Sequence, residues 1–349
     1  MTFGEIMLRL SPPGHERLFQ SPQFQASFGG GEANVALSLA GFGLDSHYVT
    51  RLPDHAVGDA AVRVLRAHGV RTEHIVRGGS RVGIYFAETG TGQRSSTVVY
   101  DRAHSAITEL EPKAVVWERV FAGAHWFHMT GITPALGPGP QACMRIALEA
   151  AKRAGVTVSL DVNYRSKLWP PEEAQRVLRP LLEFVDILIA NEEDFESALG
   201  MPVGATGAAD PSNVGTNPGG YETASSDAYH AVAERVAREF KIQMVAMTVR
   251  DGISPLETGW RGMLYEHAST KLFQSPRYPI TVVDPIGAGD SFAAGLIYAV
   301  VTGRSAARAV EFAVAASALK QSIPGDYNRV SAAEVDRLAT GEARGRVRR

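Results

Sequence analysis

Three short runs rich in β-branched and aliphatic residues, Val156–Leu160, Val185–Ala190 and Met244–Val249, alternate with stretches of helical period at Gln141–Ala154, Glu172–Phe184 and Ala228–Phe240. Strands this apolar are buried on both faces, and strands separated by helices run parallel. The alternation predicts an α/β fold, a mostly parallel sheet with helices on both faces, within which 1–349 form a single domain.

The first hundred residues follow a different pattern. Gly83–Glu88 and Ser96–Asp101 flank Thr89–Gln93 in the manner of a hairpin, and Leu8–Leu10 and Gln23–Phe28 are further short extended pieces. These predict a small antiparallel sheet outside the main one, built from about 8–28 and 80–104. It is either a lid over a substrate or an edge extension of the core. Met1–Leu10 reads as one strand. Residues 201–227 are rich in Gly, Ala, Ser, Pro and Asn and carry no apolar period, which predicts a flexible insertion.

Composition narrows the function classes. The formal net charge is −2 over 349 residues, so the basic footprint of a nucleic-acid or anionic-membrane partner is missing. The one basic cluster, Arg344–Arg349, is a terminal stretch to which no function is assigned. A single cysteine, Cys143, forms no internal disulfide and suits a reducing cytoplasm. No apolar run has the length of a membrane span, and the N-terminus lacks the pattern of a secretion signal.

The richest chemistry lies in Val282–Gly295. An apolar strand ends at Val283, a glycine-containing turn follows, and Asp290–Val301 reads as an apolar, small-residue helix. In such a turn successive N–H groups can face an anion, and the helix start adds partial positive charge. Asp290 is then either an ordinary helix cap or a base beside a phosphoryl group. A second cluster, Gly29-Gly30-Gly31 ahead of Asn34, also runs into a helix. Three consecutive glycines permit close approach by a ligand, and an Asn suits a polyol hydroxyl; a plain helix entry would not require them.

These two motifs, in this order and about 250 residues apart, resemble the paired sequence patterns of the ribokinase-like (PfkB) carbohydrate kinases. The resemblance runs from Gly4-Glu5 to Lys320–Asn328. Within that family the chain is most similar to the 2-keto-3-deoxygluconate kinases, through Ile6–Pro13, Tyr100–Ala106, Gly131–Leu136, Asp161–Arg165 and Ile323–Asp326. What the resemblance implies is a ribokinase-like core with a β lid, ATP and Mg²⁺ as cofactors, and transfer of the γ-phosphoryl group to a sugar acid. Asp290 would be the general base, and the N–H groups of Gly287, Ala288 and Gly289 would stabilise the moving phosphoryl group. Gly30, Gly31, Asn34, Tyr85, Tyr100, Arg102 and Arg165 would surround the substrate, with Asp284 and Asp326 close by. A buried substrate carboxylate calls for a cation, and Arg102 and Arg165 are the candidates. Each is otherwise an ordinary surface ion-pair residue.

For the nucleotide, the resemblance points to Asn163, Asn191, Thr248, Arg250 and Gly252, the last three on a nucleotide-edge loop. Asp194 stands where the family carries a glutamate near Mg²⁺, one methylene short, and would act through water. The same run, Asn191–Asp194, also reads as a helix N-cap. His104 either touches substrate or caps a turn. His125 and His128 read as core histidines and Cys143 as an apolar filler. Family lids often pair between subunits, so a homo-oligomer is expected. The competing readings are a kinase for a neutral sugar such as fructose or ribose, and a regulator that binds sugar or nucleotide without turnover.

Overall fold

Ten strands make up the main sheet of the computed structural model, which describes residues 1–204, 215–216, 222–252 and 257–342. From edge to edge the order is Lys271–Gln274, Glu257–Glu266, Met244–Gly252, Ile187–Ala190, Thr157–Asp161, Trp126–Thr130, Thr2–Phe3, Tyr48–Leu52 and Ile75–Arg77. Tyr278–Thr281 pairs alongside on Glu257–Glu266. From Met244–Gly252 through Ile75–Arg77 every neighbouring pair is parallel. The strands beyond Met244–Gly252 are antiparallel.

Alternation along the central strands shows why the apolar runs are continuous. Leu188, Val245 and Met247 point into one core with Leu148, Val177 and Val232 of helices Pro138–Arg153, Pro171–Leu181 and Ser226–Phe240. Ile187, Ile189 and Ala246 point into the other, with Phe292, Leu296 and Phe312 of helices Ala288–Val301 and Ala306–Lys320. Each buried aliphatic side chain contributes roughly 1.5–3 kcal/mol relative to exposure, which is why both faces of these strands are apolar. The expected helices are all present, most with one or both ends moved by a few residues.

The N-terminal ten residues form two strands in two sheets where one was expected. Thr2–Phe3 sits in the main sheet and Met7–Ser11 in the small one, with Gly4 at the crossing. A Cβ on Gly4 would lie 2.0 Å from Glu32 Oε2, so any larger residue there would displace the buried Glu32 carboxylate. The small sheet runs Gln25–Gly29, Met7–Ser11, Ile84–Glu88, Thr97–Asp101. Its outer pairs are antiparallel, including the expected hairpin, but its central pair is parallel. The sheet is therefore mixed: its two middle strands come from distant segments joined by a long crossover, and nothing forces a reversal.

The insertion expected at 201–227 lies largely outside the described residues, as does 344–349. What is described there includes a short antiparallel pair, Gly215–Thr216 with Glu222–Thr223, and the start of helix Ser226–Phe240. Among the described residues no helix is long and apolar enough to cross a membrane.

The chain enters the main sheet centrally at Thr2–Phe3, builds outward to Ile75–Arg77, then crosses to Trp126–Thr130 on the other side. Such a reversal opens a crevice at the C-terminal ends of the strands, where ligands of open α/β sheets bind. The small sheet stands beside this crevice.

Candidate active site

Helix Ala288–Val301 starts at the crevice. Its cap, Gly287, adopts φ +83°, and a Cβ there would lie 1.6 Å from the Asp326 carbonyl oxygen. The Ala288 N–H closes a turn on Pro285 and that of Ser291 bonds to Gly287. This leaves the N–H groups of Gly287, Gly289 and Asp290 without a backbone acceptor among the described residues, an anion-binding helix start. Of the three groups expected to cradle phosphate, Ala288 is thus already engaged.

Asp290 is partly exposed into a cavity of about 330 Å³. Burial pushes its pKa up to about 7, aided by the charges of Asp326 and Glu32; Asn34 and Arg165 oppose the shift. Asn34 Nδ2 donates to Asp290 Oδ2 at 2.7 Å. The Asn34 amide therefore holds the carboxylate as well as lining the cavity, a role the sequence reading did not give it. The glycine triplet is likewise shaped by protein neighbours. A Cβ on Gly29 would meet Asp326 Oδ2 at 2.0 Å and one on Gly30 the Glu5 carbonyl oxygen at 2.0 Å. Gly30 and Gly31 do line the cavity.

Behind the cavity lies a group of buried charges. Arg9 Nη1 donates to Asp326 Oδ1 at 2.6 Å and Nη2 to Asp284 Oδ2 at 2.8 Å. Asp284 also accepts from the N–H groups of Ile286 and Gly325, at 3.1 and 3.0 Å, and Lys320 Nζ donates to its carbonyl oxygen. Asp284 does not line the cavity, which corrects its expected place beside the substrate: its carboxylate accepts from Arg9 and two backbone N–H groups. Asp326 and Tyr85 line the cavity, yet the Tyr85 hydroxyl donates to the Asp326 carboxylate. Their polar ends serve each other, and burial together with Asp326 raises the Tyr85 pKa.

The two arginines separate. Arg102 is bound through Nε and Nη2 to the buried carboxylate of Glu5, and its guanidinium lies 5.4 Å from the Tyr100 ring centroid. Its charge is already matched, which revises its assignment as a carboxylate partner. Arg165 bonds through Nη1 to the Tyr164 carbonyl oxygen at 2.8 Å and pairs with no carboxylate among the described residues. It lines both the inner cavity and a wider outer space of about 760 Å³ shared with Tyr100 and Lys167.

Beyond strand Thr157–Asp161 the chain turns through Asn163, at φ +45°. Asn163 lines the cavity, and its buried Oδ1 has no hydrogen-bond partner. The neighbouring Asp161 carboxyl is pushed well above the usual range by burial, then by Asp194 and Asp290. Asp194 accepts from the N–H groups of Tyr164 and Asn191 at 2.7 and 2.9 Å, and Asn191 Oδ1 accepts from Asp194 N–H at 3.0 Å. Both residues act as caps that pin this loop, with the Asp194 oxygens committed to backbone, and neither lines the cavity. Burial raises the Asp194 pKa to about 6. Thr248, Arg250 and Gly252 lie in a strand, paired with Gly262, Trp260 and Thr258, where a loop was expected. The antiparallel ladder continues past Val249, and neither Thr248 nor Arg250 lines the cavity.

Sequence reasoning missed Glu5, Arg9, Glu32 and Lys320. Glu32 is buried and accepts from Thr130 N–H, Thr130 Oγ1 and Thr133 Oγ1 at 3.0, 2.7 and 2.8 Å, spanning the point where strand order reverses. A charged residue inside a glycine cluster or an alanine-rich helix was the available signal. Of the two histidines read as core, His128 is buried but His125 is exposed, since it precedes the strand. His104, at φ +56°, occupies a turn outside the cavity.

Comparison with known proteins gives a consistent result. The family model described as pfkB family carbohydrate kinase matches residues 1–215 and 256–332. A crystal structure of 2-dehydro-3-deoxygluconokinase from Thermotoga maritima is 48% identical, superimposes with a TM-score of 0.90, and is matched over 97% of this chain and 98% of that one. The 2-dehydro-3-deoxygalactonokinase of Haloferax volcanii is 31% identical over 98% of this chain and 96% of its own length. The 2-dehydro-3-deoxygluconokinase of Thermoproteus tenax is 28% identical over 93% of this chain and 89% of its own.

Proposed function

The chain belongs to the pfkB family of carbohydrate kinases, and from that premise we propose that it phosphorylates 2-keto-3-deoxygluconate at the 6-hydroxyl with ATP. The observation that carries the substrate class is the contrast between the cavity's two arginines. Arg102 is neutralised by Glu5, whereas Arg165 presents a guanidinium with no carboxylate partner among the described residues. A keto-deoxy acid brings the missing carboxylate, and a bidentate arginine pair is a strong way to hold one. The T. maritima and T. tenax relatives carry the name of this activity.

Asp290 takes the proton of the 6-hydroxyl as that oxygen forms its bond to the γ-phosphorus, and the bond from phosphorus to ADP breaks. A carboxylate whose pKa stands at about 7 is half ionised at neutral pH, where a general base is most effective. Asn34 aims it. The N–H groups of Gly287 and Gly289 face the charge that develops on the phosphoryl oxygens. Bound Mg²⁺ would neutralise phosphate charge; Asn163 Oδ1, a buried oxygen donor without a partner on a residue that lines the cavity, fits such an ion and would hold it. The small sheet would serve as a lid that excludes water from the transfer.

The H. volcanii relative is named for the galactonate epimer, so both epimers belong in the test. ADP release with Mg-ATP is measured against 2-keto-3-deoxygluconate, 2-keto-3-deoxygalactonate, gluconate, fructose and ribose. The expected result is turnover of the keto-deoxy acids, with the gluconate-derived compound preferred. Turnover of fructose or ribose alone would overturn the acid assignment, and no turnover of any would favour a binding regulator.

A further inference from the structure

We propose that His47, Glu73 and His74 form a binding site for a divalent transition-metal ion of the Zn²⁺ class, at the end of the main sheet opposite the catalytic crevice. Each of the three offers one ligand atom, and these atoms lie within 4.8 Å of one another. His47 immediately precedes strand Tyr48–Leu52, and Glu73 and His74 precede its parallel neighbour Ile75–Arg77. A bridge between His47 and Arg71 brings the two chain segments together before the strands begin. The cluster thus sits at the strands' N-terminal ends, whereas Asp290, Asn163 and Arg165 gather at C-terminal ends.

The arrangement around His47 is that of a prepared ligand. Its Nδ1 is buried without a hydrogen-bond partner and lies 3.1 Å from Glu73 Oε1. Its other nitrogen, Nε2, faces Asp45 Oδ2 at 3.4 Å. A carboxylate behind the non-ligating nitrogen fixes the tautomer that leaves Nδ1 free to bind metal. Asp45 is held in turn by Arg71 Nε at 3.1 Å, which places the arginine's charge on Asp45 and off Glu73. The His47 and His74 rings stand 5.9 Å apart, tilted by 32°. Two imidazoles and a carboxylate suit Zn²⁺, Co²⁺, Ni²⁺ or Cu²⁺ over Mg²⁺ or Ca²⁺, and exposure at Glu73 leaves a position for water. The ion would clamp Ile75–Arg77, a three-residue strand on the sheet edge with a single neighbour.

The test uses the full chain stripped with EDTA and titrated calorimetrically with Zn²⁺ in excess Mg²⁺, which occupies oxygen-ligand sites. One equivalent should bind, and Zn²⁺ should raise the Tm. His74→Ala should lose at least about 100-fold in affinity, and so should Glu73→Gln, an exposed change that does not threaten folding. Asp45→Asn should lose roughly 10–100-fold. Tm values in EDTA verify that each variant is folded. Absence of saturable Zn²⁺ binding to the parent would overturn the site, as would unchanged binding in both His74→Ala and Glu73→Gln.

Discussion

Asp284 and Asp290 lie six residues apart, the first buried and the second partly exposed into the cavity, and their environments are opposite. Asp284 is surrounded by donors: Arg9, two backbone N–H groups and nearby Lys320. Asp290 receives one side-chain amide and faces two further carboxylates through space. Compensation makes the first a fixture of the fold. Its absence makes the second reactive, because a carboxylate that is costly to ionise is one that readily takes a proton. The same contrast separates Arg102, matched by Glu5, from Arg165.

The strongest test of that contrast is Asp290→Asn. Loss of the base should lower kcat by about 10²–10⁴-fold or more, with ATP affinity retained by calorimetry. Parental kcat would end its assignment as the base. The parent's kcat/KM should rise with pH through about 7 as Asp290 ionises. Stability runs the other way. The folded pKa stands above the ordinary 3.8, so stabilisation by the neutral carboxyl is complete below about 3.8 and lost as pH rises through about 7. The Asn variant, uncharged throughout, should therefore melt above the parent at pH 8.5, with the gap closing towards pH 5.

Asp284 is tested through the cation it is paired with. Arg9→Met keeps the volume and removes the cation that serves Asp284 and Asp326 together. Leaving buried carboxylates unmatched typically costs about 3–5 kcal/mol. Urea denaturation should report a loss of that order at pH 7. A loss below about 1 kcal/mol would show that Lys320 and the backbone suffice, and that Arg9 is dispensable.

How far these differences were legible follows from their range in sequence. Alternation of apolar runs and helices depends on neighbours, so the parallel sheet and its helices could be read from Val156–Leu160 or Ala228–Phe240 directly. Gly287–Asp290 was readable for the same reason: the turn, the helix start and the acid are contiguous. The partners were not. Arg9 meets Asp326 across 317 positions and Arg102 meets Glu5 across 97, and no local pattern says which arginine is already matched. The resemblance therefore places Asp284 close to the substrate, and only packing shows that its carboxylate is spoken for. Thr248–Gly252 failed for a related reason: whether a ladder continues past Val249 depends on the strand opposite it.

Arg165 sharpens the second half of the contrast. Arg165→Met should raise KM for the keto-deoxy acid by roughly 10–100-fold, the loss of one charge-assisted contact. At pH 9, where the lost charge beside Asp290 no longer limits its ionisation, kcat should change little. Arg102→Met should instead lower Tm, since it strands Glu5. Equal KM effects from both would mean that the Glu5 pair opens when substrate binds.

The smallest expected effect isolates the Asn34 amide. Its bond to Asp290 favours the ionised form, so removing it in Asn34→Ala should push the carboxyl pKa further up. Ionised base then becomes scarcer at neutral pH, and kcat/KM at pH 7 should fall several-fold. Raising the pH to 9 restores the ionised form and should recover most of the rate. Loss of geometry alone would lower the whole profile without moving its inflection. A shifted inflection therefore assigns Asn34 to poising the base, and a depressed but unshifted one assigns it to substrate contact within the cavity it also lines.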